Sequence, residues 1–208
     1  MSTSDKFWDS NAEGYANSPI SDEASYQRKL SETQAVFTPQ MRVLEFVCGT
    51  GATAIQNAPH VLHIDAIYIS QNMIDIGRRK ACESNIENIS FARGTLTEFN
   101  ADTASLDAVL GLNVLHLLPD RLSVLTEVAR ILKPGGVFVS STGCLGSSYL
   151  RFIGLFVPLG KLLGLMPDVF VLTESELASE IENAGFAIES QWHHGMKDIN
   201  VFIIARKI

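Results

Sequence analysis

The sequence VLEFVCGTG, residues 43–51, joins a short apolar run to a glycine-rich turn. The run MRVLEFV, residues 41–47, has the composition of a buried strand in a parallel sheet, and ATAIQNA after the turn begins like a helix. Ligands of doubly wound sheets bind beyond the carboxyl ends of the strands, usually beside the first strand-to-helix turn. Glycine lets the backbone approach a ligand closely, and Gly49 and Gly51 supply it here. The pattern predicts a ligand site at this turn, with Glu45 as a carboxylate near the strand end.

Strand-like and helix-like segments alternate along the rest of the chain. We expect strands at residues 61–70, 89–92, 106–114 and 137–142, helices at 71–84 and 119–132, and a turn at 133–136. This alternation predicts an α/β fold with a doubly wound, mostly parallel sheet. FAIESQWHH (186–194) and INVFIIARK (199–207) predict a C-terminal antiparallel hairpin at the sheet edge, which brings the sheet to seven strands.

The remaining segments predict one domain over residues 1–208, because the sequence contains no repeat, low-complexity tract or linker. An N-terminal helical cap is expected at 1–38, with its second helix beginning at Asp22, and the core at 39–144. Residues 145–172 are strongly apolar but are interrupted by Arg151, Pro158 and Lys161, so they are too broken to span a bilayer. A buried, substrate-covering helix and a helix lying on a membrane surface are both open here. The C-terminal helix and edge hairpin occupy 173–208, and Thr173 with Glu176 forms a capping-box pair.

Composition and charge exclude several classes of protein. The 208 residues are 46% hydrophobic and 19% charged, which is typical of a globular domain. A net charge of -7 argues against sequence-independent binding to nucleic acid. The three cysteines form no C-x-x-C pair and no cluster with other metal ligands, so no metal site is predicted. Reduced cysteines and an N-terminus without a secretory signal favour a cytoplasmic location.

Several motifs, in order, resemble the class I S-adenosylmethionine-dependent methyltransferases. That family carries an acid-x-G-x-G-x-G motif, to which Glu45, Cys48, Gly49, Thr50 and Gly51 align in register. Ser70 with Met73 and Ile74, the segment LDAVLGLNVLHLLPD (106–120) and the turn LKPGG (132–136) are similar to later family motifs. A dinucleotide-binding oxidoreductase would need G-x-G-x-x-G, and the third glycine is missing at that spacing.

The resemblance implies a Rossmann-like fold, S-adenosyl-L-methionine as cofactor and S-adenosyl-L-homocysteine as product. Glu45 would orient the turn and the ammonium of the cofactor, while Ile69 and Met73 would pack on the adenine; Met73 is equally well explained as a core residue. The full set of cofactor-binding residues that the resemblance implies is Glu45, Val47, Cys48, Gly49, Thr50, Gly51, Tyr68, Ile69, Met73, Gly94, Thr95, Leu96, Asn113 and Val114.

Two positions depart from the family pattern. Val47 stands where the first glycine of the motif belongs, and its branched Cβ would resist a positive φ or crowd the ligand at a cost of about 1–3 kcal/mol. Tyr68 stands where an acid at the end of the second strand would accept the ribose hydroxyls, in bonds worth about 1.5–3 kcal/mol each. Asp65 has the wrong strand parity to replace that acid. We therefore expect weakened or lost cofactor affinity, with a catalytically silent binding or interaction protein as the alternative function.

The acceptor side is expected between the N-terminal cap and the apolar segment. The candidate substrate residues are Tyr15, Tyr26, His116, Tyr149, His193 and His194. Apolar walls predict a small, apolar methyl acceptor. His116 is the candidate catalytic base, because a hydroxyl or carbon acceptor needs a proton removed, although isolated histidines are more often structural.

Overall fold

The computed structural model describes residues 3–147, 169–194 and 199–208. The helices are α1 (Thr3–Ala16), α2 (Glu23–Ala35), α3 (Ala52–Asn57), α4 (Gln71–Glu83), α5 (Leu96–Phe99), α6 (Arg121–Ile131) and α7 (Glu174–Asn183). The strands are β1 (Arg42–Phe46), β2 (His63–Tyr68), β3 (Ile89–Arg93), β4 (Leu106–Leu112), β5 (Leu132–Gly143), β6 (Phe186–His194) and β7 (Asn200–Lys207). Short 3-10 turns lie at Ala58–His60, Leu115–Leu117 and Leu145–Ser147.

The strands form one seven-stranded sheet in the order β3-β2-β1-β4-β5-β7-β6. The strands β1 to β5 are parallel to one another, and β7 runs antiparallel to both β5 and β6. The chain reverses its direction of winding between β1 and β4, so the turn after β1 lies at the topological switch point. This confirms the predicted doubly wound sheet with its C-terminal antiparallel hairpin.

Alternate residues of each strand pack on opposite faces of the sheet, which gives the domain two apolar cores. Leu44 and Phe46 of β1 face the core formed with α6 and α7, whereas Val43 faces the core formed with α1 and α4. Both faces of the central strands are therefore covered, as expected for near-continuous apolar runs in a parallel sheet.

Helix ends follow the capping signals in the sequence. Asp22 begins α2 by accepting a hydrogen bond from the Ser25 amide at 3.1 Å. The predicted capping box is confirmed, since Thr173 and Glu176 exchange both of its hydrogen bonds at the start of α7. Gly185 follows the last turn of α7 with φ +93°, where a side chain would be strained.

Several expected boundaries were wrong: the second strand is His63–Tyr68 rather than 61–70, and the helix expected at 119–132 is Arg121–Ile131. The segment 133–136, expected as a separate turn, lies inside β5 as an irregularity: Leu106 pairs with Leu132, but Ala108 pairs with Val137. Gly135, at φ +74°, absorbs the extra residues. The fourth strand ends at Leu112 rather than residue 114, because Asn113 has φ +56° and leaves the extended conformation.

Most of the apolar segment 145–172 lies outside the described residues, namely positions 148–168, and Tyr149 is among them. The interpretations of that segment as a substrate-covering or membrane-surface helix therefore stay predictions. Across the ranges that are described, no helix combines the length and apolar character that crossing a bilayer requires.

Candidate functional site

The turn after β1 has three left-handed residues within five positions. Val47, Gly49 and Gly51 have φ of +58°, +57° and +72°. A Cβ on Gly51 would lie 2.5 Å from the Phe91 ring, so only glycine fits there. Val47 adopts the conformation that its β-branched side chain disfavours, at a cost of about 1–3 kcal/mol. Val47, which replaces the first glycine of the family motif, is therefore a strained residue within the site.

Glu45 is the buried carboxyl of the site. It lies in β1 between Ala66 of β2 and Leu110 of β4, and only 3% of its surface is exposed. Its Oε2 atom has no hydrogen-bond partner among the described residues. Burial removes the carboxyl from solvent and raises the pKa of Glu45 to about 8, so the group is mainly protonated at pH 7. A cationic group above the turn would supply the missing partner and lower this pKa.

Tyr68 fills the end of β2 where the family has an acid. The residue is 4% exposed, and its ring meets that of Trp8 edge-on at a centroid distance of 6.2 Å. Asp65 does not take over the acidic role, because it lies 3.5 Å from His63 Nε2 in the middle of β2. The end of β2 thus presents an aromatic ring packed on a helix of the same chain.

Helix α1 crosses the carboxyl ends of β2 and β3. Asp9 Oδ1 accepts hydrogen bonds from Ser70 Oγ at 2.5 Å and from the Asn72 amide at 3.3 Å, at the start of α4. Asp5 pairs with Arg93 at the end of β3 with a separation of 3.5 Å. These contacts were not predicted from the sequence, since residues more than 60 positions apart form them and no local pattern marks them.

The residues expected to line the adenine have mixed surroundings. Met73 is 1% exposed and belongs to the core beneath α4, whereas Ile69 is half-buried. Thr95 begins α5, and its hydroxyl is engaged with Glu98 in a capping box. Leu96 is buried beneath that helix, and the Gly94 amide donates to the Tyr68 carbonyl at 2.9 Å.

Hydrogen bonds between polar residues connect the end of β4 to the end of β5. The Asn113 amide donates to the Ser141 carbonyl at 2.7 Å, and Ser141 Oγ donates to Asn113 Oδ1 at 3.1 Å. Ser141 Oγ also lies 3.1 Å from His194 Nε2. Because the single Ser141 hydroxyl hydrogen is then used, His194 donates from Nε2. Val114, next in sequence to Asn113, is buried.

A cleft of about 380 Å³ opens beside the turn, in the size range of small-molecule sites. Its lining includes Tyr15, Tyr26, Lys29, Asn113, His194 and Asn200. Thr50 belongs to both the turn and the cleft, and the Tyr15 ring lies 3.5 Å from where a Gly49 Cβ would stand. The structure therefore brings together the predicted turn, Asn113, two of the predicted tyrosines and one predicted histidine.

Lys29 belongs to this cleft but was missing from the sequence prediction. It follows Tyr26 by one turn of α2, so spacing would have placed both side chains on one face once the orientation of α2 was known. Burial lowers the pKa of Lys29, and the negative charge of Asp22 offsets this only in part.

The three candidate histidines have different surroundings. His193 points away from the cleft and pairs with Glu174 of α7 at 2.8 Å, whereas its neighbour His194 faces the cleft, as alternation along β6 requires. His116 Nδ1 accepts a hydrogen bond from the Gly143 amide at 3.3 Å, and burial lowers the pKa of His116. Because His116 does not line the cleft, its catalytic role stays a prediction.

A wider groove of about 790 Å³ lies between α5 and α6, lined in part by Asp102, Asp120 and Arg130. It includes no residue of the turn, and we assign the site to the smaller cleft. Within the described ranges, no group of three His, Cys, Asp or Glu side chains could hold a metal ion.

Comparison with known proteins agrees with this geometry. Residues 43–136 match a family model described as a methyltransferase domain. A demethylmenaquinone methyltransferase of Listeria monocytogenes is 34% identical over 97 residues, which cover 45% of this chain and 41% of the relative. The 27-O-demethylrifamycin SV methyltransferase of Amycolatopsis mediterranei is 32% identical over 97 residues, covering 46% and 36%. The matched region thus spans about two fifths of these relatives.

Solved structures share the fold over most of the chain. The YcgJ protein of Bacillus subtilis superposes with a TM-score of 0.72 at 17% identity, covering 87% of this chain and 98% of that one. Geranyl diphosphate C-methyltransferase of Streptomyces coelicolor, solved with S-adenosyl-L-homocysteine, superposes with a TM-score of 0.72 at 14% identity, covering 89% and 79%. The methyltransferase-domain match begins at the strand that leads into the switch-point turn of this sheet, so residues 43–136 are similar to the methyltransferase-domain family.

Proposed function

We propose that this chain binds S-adenosylmethionine at the β1 turn and transfers its methyl group to a small, largely apolar acceptor in the adjoining cleft. Glu45 carries the proposal: a buried carboxyl with an orphan oxygen and a pKa raised to about 8, below a turn with two left-handed glycines. Such a carboxyl is costly unless a ligand pairs with it. The ammonium of the cofactor has the charge and the donors to do so.

The residues of the site would act by binding and positioning. When bound, the cofactor supplies an electrophilic sulfonium methyl group. The acceptor atom would form a bond to the methyl carbon while the carbon–sulfur bond breaks and its electron pair stays on sulfur. Tyr15 and Tyr26 would hold the acceptor in line and exclude water. His194, neutral because burial lowers its pKa to about 4, would present a hydrogen bond rather than a charge.

Val47 and Tyr68 weaken cofactor binding in this proposal. Val47 brings a strained side chain to the turn, and Tyr68 with Trp8 occupies the place of the ribose-binding carboxylate. These same two residues favour the alternative function, a methyltransferase-fold protein that binds a ligand without transferring a methyl group. Relatives named for demethylmenaquinone and demethylrifamycin SV support the first function and a small organic acceptor.

Titration calorimetry with S-adenosylhomocysteine, in two buffers of different ionisation enthalpy, tests the cofactor site. At pH 7 we expect a dissociation constant weaker than about 10 μM and release of close to one proton, since pairing with the ammonium ionises Glu45. Glu45→Gln should abolish the proton release. Tight binding would refute the impairment, and binding without proton release would refute the role of Glu45.

Transfer of a labelled methyl group to extracted small molecules separates the two functions. A labelled product that depends on Glu45 supports the methyltransferase. Proton-linked binding of S-adenosylhomocysteine with no labelled product, both in this chain and in a variant with restored affinity, supports the silent binding protein.

A further inference from the structure

The cleft beside the turn has a charge opposite to that of the protein. The whole chain has a net charge of -7, yet among the residues that the structure describes, the charged side chains lining the cleft are Lys29, Lys80 and one carboxylate, Asp22. Lys80 Nζ is directed to the Ala16 carbonyl at 3.5 Å. His194 adds no charge at pH 7, and Glu45, beneath the turn, is mainly protonated. The local excess of positive charge favours an anionic ligand.

Lys29 is the ammonium available to such a ligand. Within residues 3–147, 169–194 and 199–208, its Nζ atom makes no hydrogen bond and no ion pair. Asp22 attracts it from a distance, but burial dominates and lowers the pKa of Lys29. Among the described residues this half-buried ammonium has no paired anion, and an anion entering the cleft would compensate its charge.

The surroundings of Lys29 place it on the acceptor side of the cleft. The charge of Glu45 acts on the phenols of Tyr15 and Tyr26 and, after burial, contributes to raising the pKa of each. The pKa of Lys29, by contrast, responds to burial and to Asp22, and the charge of Lys29 lowers the pKa of His194 in β6. Lys29 is thus coupled to Asp22 and His194, whereas Glu45 is coupled to Tyr15 and Tyr26.

The same lysine lies beside apolar surface. Lys29 also lines a small extension of the cleft, of about 40 Å³, together with Leu30 of α2 and Leu112 of β4. A ligand reaching Lys29 would thus meet aliphatic side chains and the Tyr26 ring next to the charge. One lysine with the neutral amides of Asn113 and Asn200 suits a singly charged carboxylate better than a phosphate dianion.

We propose that Lys29 is the anion-binding residue of the acceptor subsite, and that the acceptor is a small molecule with an apolar body and a carboxylate. The identity of this ligand as the methyl acceptor rests on the proposed function. The anion subsite does not, since it requires no cofactor and no chemistry.

Octanoate and its uncharged counterpart 1-octanol are the probes, titrated into the full chain at pH 7 with and without S-adenosylhomocysteine. Octanoate should bind at least about ten-fold tighter than 1-octanol, the effect expected for a charge-assisted contact. Lys29→Met should remove this preference while leaving 1-octanol binding unchanged, which also shows that the variant is folded. Lys29→Arg should retain the preference, and so should Lys6→Met, which removes an exposed lysine of α1.

Two sources of carboxylate are distinguished by the same variants. If Lys29→Met weakens S-adenosylhomocysteine about ten-fold while the octanoate preference persists, the lysine serves the carboxylate of the cofactor and the proposal is overturned. Equal binding of both probes to the unaltered chain, or undiminished octanoate binding by Lys29→Met, also overturns it. Failure of S-adenosylhomocysteine to bind counts against the proposed function alone, because octanoate is also titrated without it.

Discussion

The two ends of the crevice are formed by the same row of strand ends, yet they differ in what covers them. At β2 and β3, α1 lies across the crevice, with Trp8 on Tyr68 and Asp9 bonded to Ser70. At β4, β6 and β7 a cleft remains open, and Lys29 and His194 line it. The closed end should limit how tightly the cofactor binds, and the open end should decide which acceptor enters.

The largest effect is expected when the residues of the family pattern, a glycine at position 47 and an acid at position 68, are restored at the closed end. Val47→Gly removes the strained Cβ, and Tyr68→Asp supplies a carboxylate for the ribose. Together the two substitutions should lower the dissociation constant for S-adenosylhomocysteine by about a thousand-fold. This corresponds to a combined gain in binding free energy of roughly 4 kcal/mol. The matched control is Val47→Ala with Tyr68→Phe, which keeps a Cβ and a ring. Equal gains in both double variants, measured by calorimetry, would show that neither the Cβ nor the missing carboxylate limits cofactor affinity.

The next effect concerns Glu45, which lies between the two ends. Its pKa is about 8 in the fold against 4.5 ordinarily, so the folded chain retains a proton that the unfolded chain releases. The resulting stability is fully present below pH 4.5 and is lost as the pH rises through 8. Between pH 5 and 8, the free energy of unfolding should fall by roughly 3 kcal/mol more than in Glu45→Gln. Urea denaturation at both pH values measures this; parallel pH profiles would contradict it.

The turn after β1 could be predicted from the sequence because the residues that define it are neighbours in the chain. Glu45, Gly49 and Gly51 are recognisable from a strand followed by glycines, and the φ of Gly51 together with the Phe91 ring explains why glycine is needed. Lys29 and Asp9 were missed, since their roles depend on how α1 and α2 dock on strand ends far along the chain. From the sequence, both His193 and His194 are expected to be substrate residues, whereas alternation along β6 lets only one of them face the cleft, and the structure shows that it is His194.

A smaller effect is expected when the contact that Asp9 makes between α1 and the closed end is removed. Asp9→Ala removes the acceptor for Ser70 Oγ and for the Asn72 amide, at a cost of about 1–2 kcal/mol. Hydrogen exchange of the α1 amides should accelerate by about ten-fold. Asp75→Ala, which removes an exposed carboxylate paired with Arg78 on α4, is the control and should leave α1 unchanged. Equal exchange in both variants would show that the Asp9 carboxylate does not hold α1 and that its other contacts, such as Trp8 with Tyr68 and Asp5 with Arg93, suffice.

The smallest effect is expected at the open end, in the titration of His194. Burial, together with the charge of Lys29, lowers the pKa of this imidazole to about 4, so the folded chain binds fewer protons there than the unfolded chain does. Its contribution to stability is present above pH 6.5 and is lost as the pH falls towards 4. Nuclear magnetic resonance should find the His194 ring neutral down to about pH 5, with the signal assigned by its loss in His194→Gln. Lys29→Met should raise the pKa, because a neighbouring positive charge disappears, whereas Lys6→Met should not. If the His194 imidazole of the unaltered chain titrates at its ordinary pH, water reaches the ring freely. The open end would then lack the half-buried surface on which selection of the acceptor depends.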